Sequence, residues 1–202
     1  MNLRDYFGGI DIYLFDQLLK GRFDPSKTLL DAGCGSGRNL VYFLREGYPA
    51  FGIDTNAEAI AQVQRLARTL APHLPANHFQ VANLAALSFP DARFDAVVCS
   101  AVLHFADDEA HFDQMLTEMW RVLKPGGLFF ARLASTIGIE DRVQPMHRRW
   151  FALPDGTSRF LVDEAMLLDR TARWNGHLLE PIKTTNVQNR RAMTTWVVRK
   201  AA

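Results

Sequence analysis

Cysteine is scarce in this sequence, and its spacing matches neither a metal site nor a disulfide framework. Cys34 and Cys99 are the two cysteines in a chain of 202 residues, and apolar, strand-like segments surround both. Because neither has an obvious base partner in the sequence, we interpret both as small apolar side chains rather than nucleophiles. This cysteine usage predicts a reduced, cytoplasmic protein, and we expect no metal site.

Neither sign of charge is in excess, and long apolar runs are absent. Lys and Arg number 23 against 22 Asp and Glu, which leaves no overall field to attract nucleic acid or an anionic membrane surface. Residues 1–5 are not followed by an apolar segment long enough for a signal peptide or a membrane span. We therefore expect a small-molecule partner rather than a membrane or a nucleic acid. The sequence leaves the oligomeric state open.

The hydrophobic pattern predicts one α/β domain over residues 1–202. Apolar residues make up 48% of the chain, enough for one sizeable core. Residues 27–133 repeat a short apolar run followed by a segment of helical periodicity, which indicates a parallel sheet flanked by helices. The predicted strands lie at 28–32, 50–53, 78–81, 94–99 and 128–133. Helices are predicted to begin near Asn39 and at the caps Asn56, Asp107 and Asp163.

Other regions depart from this alternation. Residues 134–160 are rich in Arg, Trp and Phe, and we interpret them as a cap inserted over the substrate. Residues 1–24 precede the first strand and are predicted to form a lid. Residues 124–127 are predicted to be a turn. Two β-like runs, at 178–187 and 193–199, finish the chain.

A glycine loop after the first predicted strand is the most informative motif. Gly33, Gly35 and Gly37 let the backbone approach a ligand without Cβ clashes, and the amides of a helix start favour polar or negative groups. Dinucleotide sites use a similar loop with glycine at the sixth position, where Arg38 stands here. Asp54 ends the second strand, where a carboxylate can accept hydrogen bonds from both ribose hydroxyls. These residues indicate a nucleotide-like ligand.

The segment 29–37, Leu-Leu-Asp-Ala-Gly-Cys-Gly-Ser-Gly, resembles the first motif of the class I S-adenosylmethionine-dependent methyltransferases. Segments 51–54, 87–95 and 121–127 are similar to later segments of that family, in the correct order and spacing. The resemblance implies an α/β, Rossmann-like, doubly wound sheet of seven strands that is mostly parallel with an antiparallel last strand. It also implies S-adenosyl-L-methionine as cofactor and S-adenosyl-L-homocysteine as product.

The resemblance also assigns roles to individual residues. Asn83 and Leu84 follow the third strand, in the places of the polar side chain and the backbone amide that hold the adenine. The family more often has Asp where Asn83 stands, but an amide oxygen can still accept a hydrogen bond from the adenine amine. The predicted cofactor-binding residues are Asp31, Gly33, Gly35, Gly37, Asp54, Thr55, Asn83, Leu84 and Ser100.

Candidates for the acceptor side come from three regions. His104 follows the fourth strand and is the candidate catalytic residue, either as a general base or as a hydrogen-bonding partner, with a structural role at the rim as the alternative. The basic and aromatic cluster within 134–160 suits an anionic or planar substrate, and a solvated arginine face is the alternative. The candidate substrate-binding residues are Tyr6, Arg38, Arg148, Arg149 and Trp150.

The predicted function is methyl transfer to a small-molecule acceptor by in-line displacement. A nucleophile attacks the methyl carbon and the neutral thioether leaves, so that alignment and exclusion of water supply much of the catalysis. Residues 100–103, Ser-Ala-Val-Leu, stand where enzymes that methylate nucleic-acid amines carry Asn-Pro-Pro-Tyr, so that resemblance is missing. The alternatives are an RNA or protein methyltransferase that uses the arginines of 134–160, and a non-catalytic module that binds S-adenosylmethionine.

Overall fold

Five parallel strands form the centre of the sheet in the computed structural model, which describes residues 2–202. They are β1 (Leu29–Ala32), β2 (Ala50–Asp54), β3 (Phe79–Val81), β4 (Phe94–Ser100) and β5 (Leu123–Ser135). Their order across the sheet is β3-β2-β1-β4-β5, so the chain changes direction between β1 and β4. Ligands of open α/β sheets bind at the carboxyl ends of the strands beside such a switch point.

The far side of β5 carries the antiparallel end of the sheet. Strand β11 (Arg191–Lys200) runs antiparallel to β5, as predicted for the last strand. The other edge of β11 is covered by β9 (Gly176–Leu178) and β10 (Lys183–Val187). These two strands occupy the single position predicted for 178–187, which is interrupted around Pro181, a residue without a backbone donor. The sheet therefore has eight strands in seven positions.

Helices cover both faces of the sheet. They are α1 (Leu3–Phe7), α2 (Ile12–Leu19), α3 (Val41–Arg45), α4 (Ala57–Leu70), α5 (Glu109–Val122) and α6 (Glu164–Arg173). The predicted caps Asn56 and Asp163 are confirmed, since their side chains accept hydrogen bonds from the first-turn amides of α4 and α6. The cap predicted for α5 is wrong by one residue: Asp108, not Asp107, accepts from His111 N–H at 2.9 Å.

Two predicted boundaries also shift. Helix α3 begins at Val41 rather than near Asn39, because Leu40 N–H donates to the carbonyl of Gly37 and extends the loop by a turn. Strand β5 begins at Leu123 rather than at residue 128. The predicted turn at 124–127 is a bulge inside β5, where Gly126 has a φ of +74° and the pairing with β4 shifts register.

Successive residues of the central strands point into two separate cores. Leu29 belongs to the core beneath α3 and α4, and Leu30 to the core beneath α5 and α6. Cys34 and Cys99 are buried in these two cores, one in each, which confirms their apolar surroundings. Burial raises the pKa of both thiols, so neither is a nucleophile at neutral pH.

The chain between β5 and α6 forms a small second sheet. Its antiparallel strands are β6 (Gln144–Pro145), β7 (Trp150–Ala152) and β8 (Ser158–Phe160). A bridge between Ser135 and Val162 joins this region to the end of β5. Leu153 and Leu161 pack with Ala134 in an apolar cluster of their own. The region predicted as a cap thus sits beside the carboxyl end of β5.

Gly33→Ala should destabilise the fold, since a Cβ there would lie 2.3 Å from Val102 Cγ2 and the residue has a φ of +81°. We expect the free energy of unfolding to fall by about 2 to 5 kcal/mol, from overpacking together with the left-handed backbone. Gly156→Ala is the matched control, because Gly156 has a φ of +85° but nothing within 4 Å. Its loss should be about 1 to 2 kcal/mol. Denaturant unfolding of both variants measures the difference, and equal losses would rule out the close approach.

Candidate functional site

A cavity of about 610 Å³ opens at the carboxyl ends of β1, β2 and β4. Seven of the nine predicted cofactor-binding residues line it, namely Gly33, Gly35, Asp54, Thr55, Asn83, Leu84 and Ser100. The lining also includes residues that were not predicted, namely Cys34, Ser36, Asn39, Ala101, Val102, Phe105, His111 and Met115. The structure therefore brings residues from five separate parts of the chain to the edge predicted from the glycine loop.

The three glycines of the loop have different surroundings. Gly33 is pressed against Val102, whereas Gly35 has a φ of +53° and faces open space. Gly37 does not line the cavity, and a Cβ there would lie 2.6 Å from Val63 Cγ2 on α4. The loop is therefore pressed at one end against the segment after β4 and at the other against α4, and its middle is left free for a ligand.

Asp54 holds the glycine loop through its carboxylate. Its Oδ2 accepts from Gly35 N–H and its Oδ1 accepts from Asn56 N–H, both at 2.9 Å. Each oxygen keeps a free lone pair, because a carboxylate oxygen can accept two hydrogen bonds. Asp54 is thus fixed by the backbone on one side and able to accept two hydroxyl groups on the other, as the ribose assignment requires.

Asp31 is a carboxyl group without a partner. It is buried under the loop, and neither of its oxygens has a hydrogen bond to any part of the chain that the structure describes. Burial raises the pKa of Asp31 to about 7; the nearby Arg38 lowers it and Asp54 raises it. Asp31 does not line the cavity. A cationic group bound nearby would favour the ionised form of this carboxyl.

Asn83 and Leu84 lie where an adenine contact was predicted. The Asn83 Oδ1 accepts from Ala85 N–H at 2.9 Å, which fixes the turn after β3 and leaves one lone pair of that oxygen free. Leu84 is buried in the core beneath α5. The turn is therefore ordered by the same side chain that the resemblance assigns to the adenine.

Asp11 joins the N-terminal segment to the site, a role that sequence reasoning missed. Its buried Oδ2 accepts from Ser100 Oγ and from Arg132 Nη1, both at 3.1 Å. Its backbone N–H donates to Asn39 Oδ1 at 2.9 Å. Arg38 donates to Ser100 Oγ at 3.3 Å, beside the same carboxylate. The one local signal was that Asp11 caps α2; the other contacts span 28 to 121 residues along the chain.

His104 is a buried, neutral histidine. Burial, with a smaller effect of Arg159, lowers its pKa to about 4. Its Nδ1 accepts from Ala134 N–H at 3.3 Å, so the ring hydrogen is on Nε2. It lines a second cavity of about 290 Å³ rather than the first, and Ala101 lines both. This geometry makes the ring a hydrogen-bond donor, and its catalytic role stays a prediction.

Of the five predicted substrate-binding residues, Arg38 lines the first cavity and the other four do not. Tyr6 donates to Glu46 at the end of α3. The remaining three lie together, with Arg148 and Arg149 in the turn before β7 and Trp150 at the start of β7. Arg148 Nη1 lies 3.3 Å from Asp108 Oδ2, and Arg149 Nη2 lies 2.5 Å from Asp163 Oδ2. Trp150 Nε1 donates to the carbonyl of Ala106. Their substrate roles stay predictions.

Within residues 2–202, the structure places no three His, Cys, Asp or Glu side chains together in an arrangement that could hold a metal ion. None of the helices in this range combines the length and apolarity needed to cross a membrane.

Known proteins share both the sequence pattern and the fold. A family model described as a methyltransferase domain matches residues 30–131. Malonyl-[acyl-carrier protein] O-methyltransferase from Pseudescherichia vulneris is 29% identical over 159 residues, which are 77% of this chain and 57% of that protein. The chain spans about half the length of the curated relatives it matches.

Solved structures agree with the fold. A SAM-dependent methyltransferase from Methanosarcina mazei has a TM-score of 0.72 at 24% identity, covering 91% of this chain and 97% of that one. The 1,6-didemethyltoxoflavin-N1-methyltransferase of Burkholderia thailandensis, solved with S-adenosylhomocysteine bound, has a TM-score of 0.69 at 18% identity. It covers 99% of this chain and 85% of that one.

The sheet order and the cavity beside its switch point define a nucleotide-binding α/β protein of the Rossmann-like class. The chain belongs to the class I S-adenosylmethionine-dependent methyltransferases. S-adenosylmethionine is the cofactor of this family, and the residues present fit it. Asp54 has free acceptor positions for a ribose, Gly35 leaves space above the loop, and the unpartnered Asp31 suits a cationic ammonium group.

Asp54→Ala should weaken S-adenosylhomocysteine binding by about 10- to 100-fold, because two hydrogen bonds to a charged acceptor are lost and Gly35 N–H is released. Titration calorimetry measures the dissociation constant. Asp24→Ala is the matched control, since Asp24 accepts from Ser26 in the loop before β1, at the opposite edge of the sheet. Unchanged affinity in Asp54→Ala would remove Asp54 from the ribose role.

Asp31→Asn should have opposite effects on stability and on binding. The pKa of Asp31 is raised, so between pH 4 and 7 the native state binds more protons than the unfolded state, and wild-type stability falls as pH rises. At pH 8 the variant should be more stable by about 1 to 3 kcal/mol, an advantage that shrinks toward pH 5.

The same variant should bind S-adenosylhomocysteine about tenfold more weakly at pH 8, since an ammonium group loses its counter-charge. Denaturant unfolding at both pH values and calorimetry at pH 8 give the two quantities. A variant that is stabilised yet binds with full affinity would show that Asp31 is structural and has no part in holding the cofactor.

Proposed function

We propose that the protein transfers the methyl group of S-adenosylmethionine to a small-molecule acceptor. The observation that carries this proposal is the pair of cavities that meet at Ala101, the first lined by the glycine loop and the second by β5 and the small sheet. The second cavity, at about 290 Å³, has the size of a small-molecule site rather than of a groove for a folded macromolecule. Ala101 follows β4 with a φ of +64°, and its N–H donates to the carbonyl of Arg132.

Bound S-adenosylmethionine supplies an electrophilic methyl group on a sulfonium, whose displacement leaves a neutral thioether. The protein's part is then to hold both ligands in line and to exclude water. Asp54 and the amide edge near Asn83 and Leu84 would orient the nucleoside, while Asp31 would hold the ammonium group. His104, as a neutral donor, would hold the acceptor rather than deprotonate it.

The relatives support a small-molecule acceptor without fixing which one. The printed names include malonyl-[acyl-carrier protein] for the relative from Pseudescherichia vulneris and 1,6-didemethyltoxoflavin for the Burkholderia thailandensis enzyme. These acceptors differ in size and in the atom that is methylated. We therefore assign the acceptor to the second cavity of this chain.

We also propose that residues 2–24 act as a lid and residues 134–160 as a cap over the acceptor. Asp11 and Tyr13 bring the first segment to the end of the sheet, through Ser100 and Thr185 respectively. Residues 153–159 of the second segment line the second cavity. The first segment thus contacts Ser100, which lines the first cavity, and the second segment contributes to the lining of the second cavity.

The test of the proposed function has two stages. Calorimetry should first show binding of S-adenosylmethionine, and radiolabelled methyl should then transfer to the small-molecule fraction of a cell extract. Protein carrying Asp54→Ala is the negative control. Labelling that disappears after ribonuclease or protease treatment of the extract would favour a macromolecular acceptor instead. Binding without any transfer would indicate a non-catalytic module, and absence of binding would end the proposal.

A further inference from the structure

Three arginines from separate strands line the second cavity. Arg132 lies on β5, Arg159 on β8 and Arg191 at the start of β11. Asp155 is the acidic residue of this lining, and its Oδ1 accepts from Thr157 N–H at 3.0 Å and from Thr157 Oγ1 at 2.6 Å. The lining therefore carries more positive than negative charge.

Two of the three guanidinium groups are available to a ligand. Arg132 is paired with Asp11 at 3.1 Å. Among residues 2–202, no carboxylate lies within 4.0 Å of Arg159 or of Arg191. Arg159 donates to the carbonyl of Ser158, its own neighbour in sequence, and is half-buried. Arg191 is exposed. After the hydrogen bond from Thr157, Arg191 and Arg159 also lower the pKa of Asp155, so this carboxylate offsets part of their charge. The remaining positive charge of the lining favours an anion there.

Arg159 lies close to the first cavity as well as lining the second. Its guanidinium carbon lies 5.1 Å from the ring centroid of Phe105, and Phe105 lines the first cavity. Ala101 lines both cavities, and His104 lines the second with its ring hydrogen on Nε2. A ligand held by Arg159 would therefore lie next to the space in front of the glycine loop.

We propose that the second cavity binds a carboxylate group of the methyl acceptor, held by Arg159 and Arg191 with His104 as a neutral donor. This inference rests on the proposed function and narrows its acceptor to a small organic acid. The carboxylate is a handle that anchors the acceptor, and the methylated atom lies on the side toward Ala101. A guanidinium group matches the planar carboxylate with two parallel hydrogen bonds, which a neutral amide cannot reproduce.

The two arginines proposed to bind the carboxylate are not the two that the sequence predicted as substrate contacts. Arg148 and Arg149 already pair with Asp108 and Asp163, and they line shallow surface cavities apart from the glycine loop. Arg159 and Arg191 have no such pairs in the described chain and face a cavity that adjoins the cofactor region. The two sets of arginines can therefore be separated by substitution.

The test uses the full chain saturated with S-adenosylhomocysteine, in ligand-observed NMR titrations with acetate, malonate and benzoate. Acetamide, malonamide and benzamide are the neutral counterparts, and inorganic phosphate is a further arm. We expect at least one carboxylate to bind more tightly than its amide. Arg159→Gln and Arg191→Gln should each weaken that binding by about tenfold. Two control variants should leave the affinity for the carboxylate unchanged. They are Arg190→Gln, which precedes Arg191 in sequence but lies outside the lining, and Arg148→Gln.

Several outcomes would overturn the inference. One is that no carboxylate binds although calorimetry shows S-adenosylhomocysteine bound, in which case the proposed methyl transfer is still open. A second is that Arg148→Gln weakens binding while Arg159→Gln does not, which would place the anion on the outer turn. A third is that phosphate binds and the carboxylates do not. Melting temperature and S-adenosylhomocysteine affinity are measured for each variant, and Arg159→Lys replaces Arg159→Gln if the latter fails to fold.

Discussion

The site depends on one buried carboxylate, that of Asp11. Its side chain is 1% exposed, so its charge must be met by partners inside the protein. Arg132 and Ser100 supply them from the ends of β5 and β4, and Arg38 lies nearby. Removing one partner of such a buried ion pair lowers the free energy of unfolding by about 3 to 5 kcal/mol, because the other charge is left uncompensated. This requirement fixes the N-terminal segment against the ends of β4 and β5, where Ser100 lines the first cavity and Arg132 the second.

The parts of the site that were predictable from the sequence have local causes. The glycine loop directly follows β1, and Asp54, which accepts from Gly35 N–H, ends the strand next to β1. The caps at Asn56 and Asp163 likewise act within three residues. Because parallel strands bring their carboxyl ends to one edge, identifying the strands was sufficient to bring Asp54 and Asn83 to the same cavity.

The parts that were missed depend on contacts that the sequence does not show. Arg148 and Arg149 were predicted as substrate contacts because their charge is visible in the sequence, whereas their pairing with Asp108 and Asp163 is not. Their substrate role stays a prediction. Arg159 and Arg191 were overlooked for the converse reason. Arg159 is the single arginine of its strand and Arg191 follows Arg190, and only the pairing of β7 with β8 and of β11 with β5 brings Arg159 and Arg191 to one cavity.

The two cavities differ in the charge around them, and this difference would help to place the two ligands. Asp54 lines the first cavity and Asp31 is buried beneath its glycine loop, whereas Arg159 and Arg191 line the second cavity. Each lining also holds one residue of the opposite charge, Arg38 in the first and Asp155 in the second. S-adenosylmethionine carries a cationic ammonium, a cationic sulfonium and a carboxylate, and its two cationic groups favour the side of the carboxyl groups. An organic acid is repelled from that side and attracted to the arginines. In the proposed arrangement the cationic groups of the cofactor and the carboxylate of the acceptor therefore favour opposite sides, which adds to the specificity that the shapes of the cavities supply.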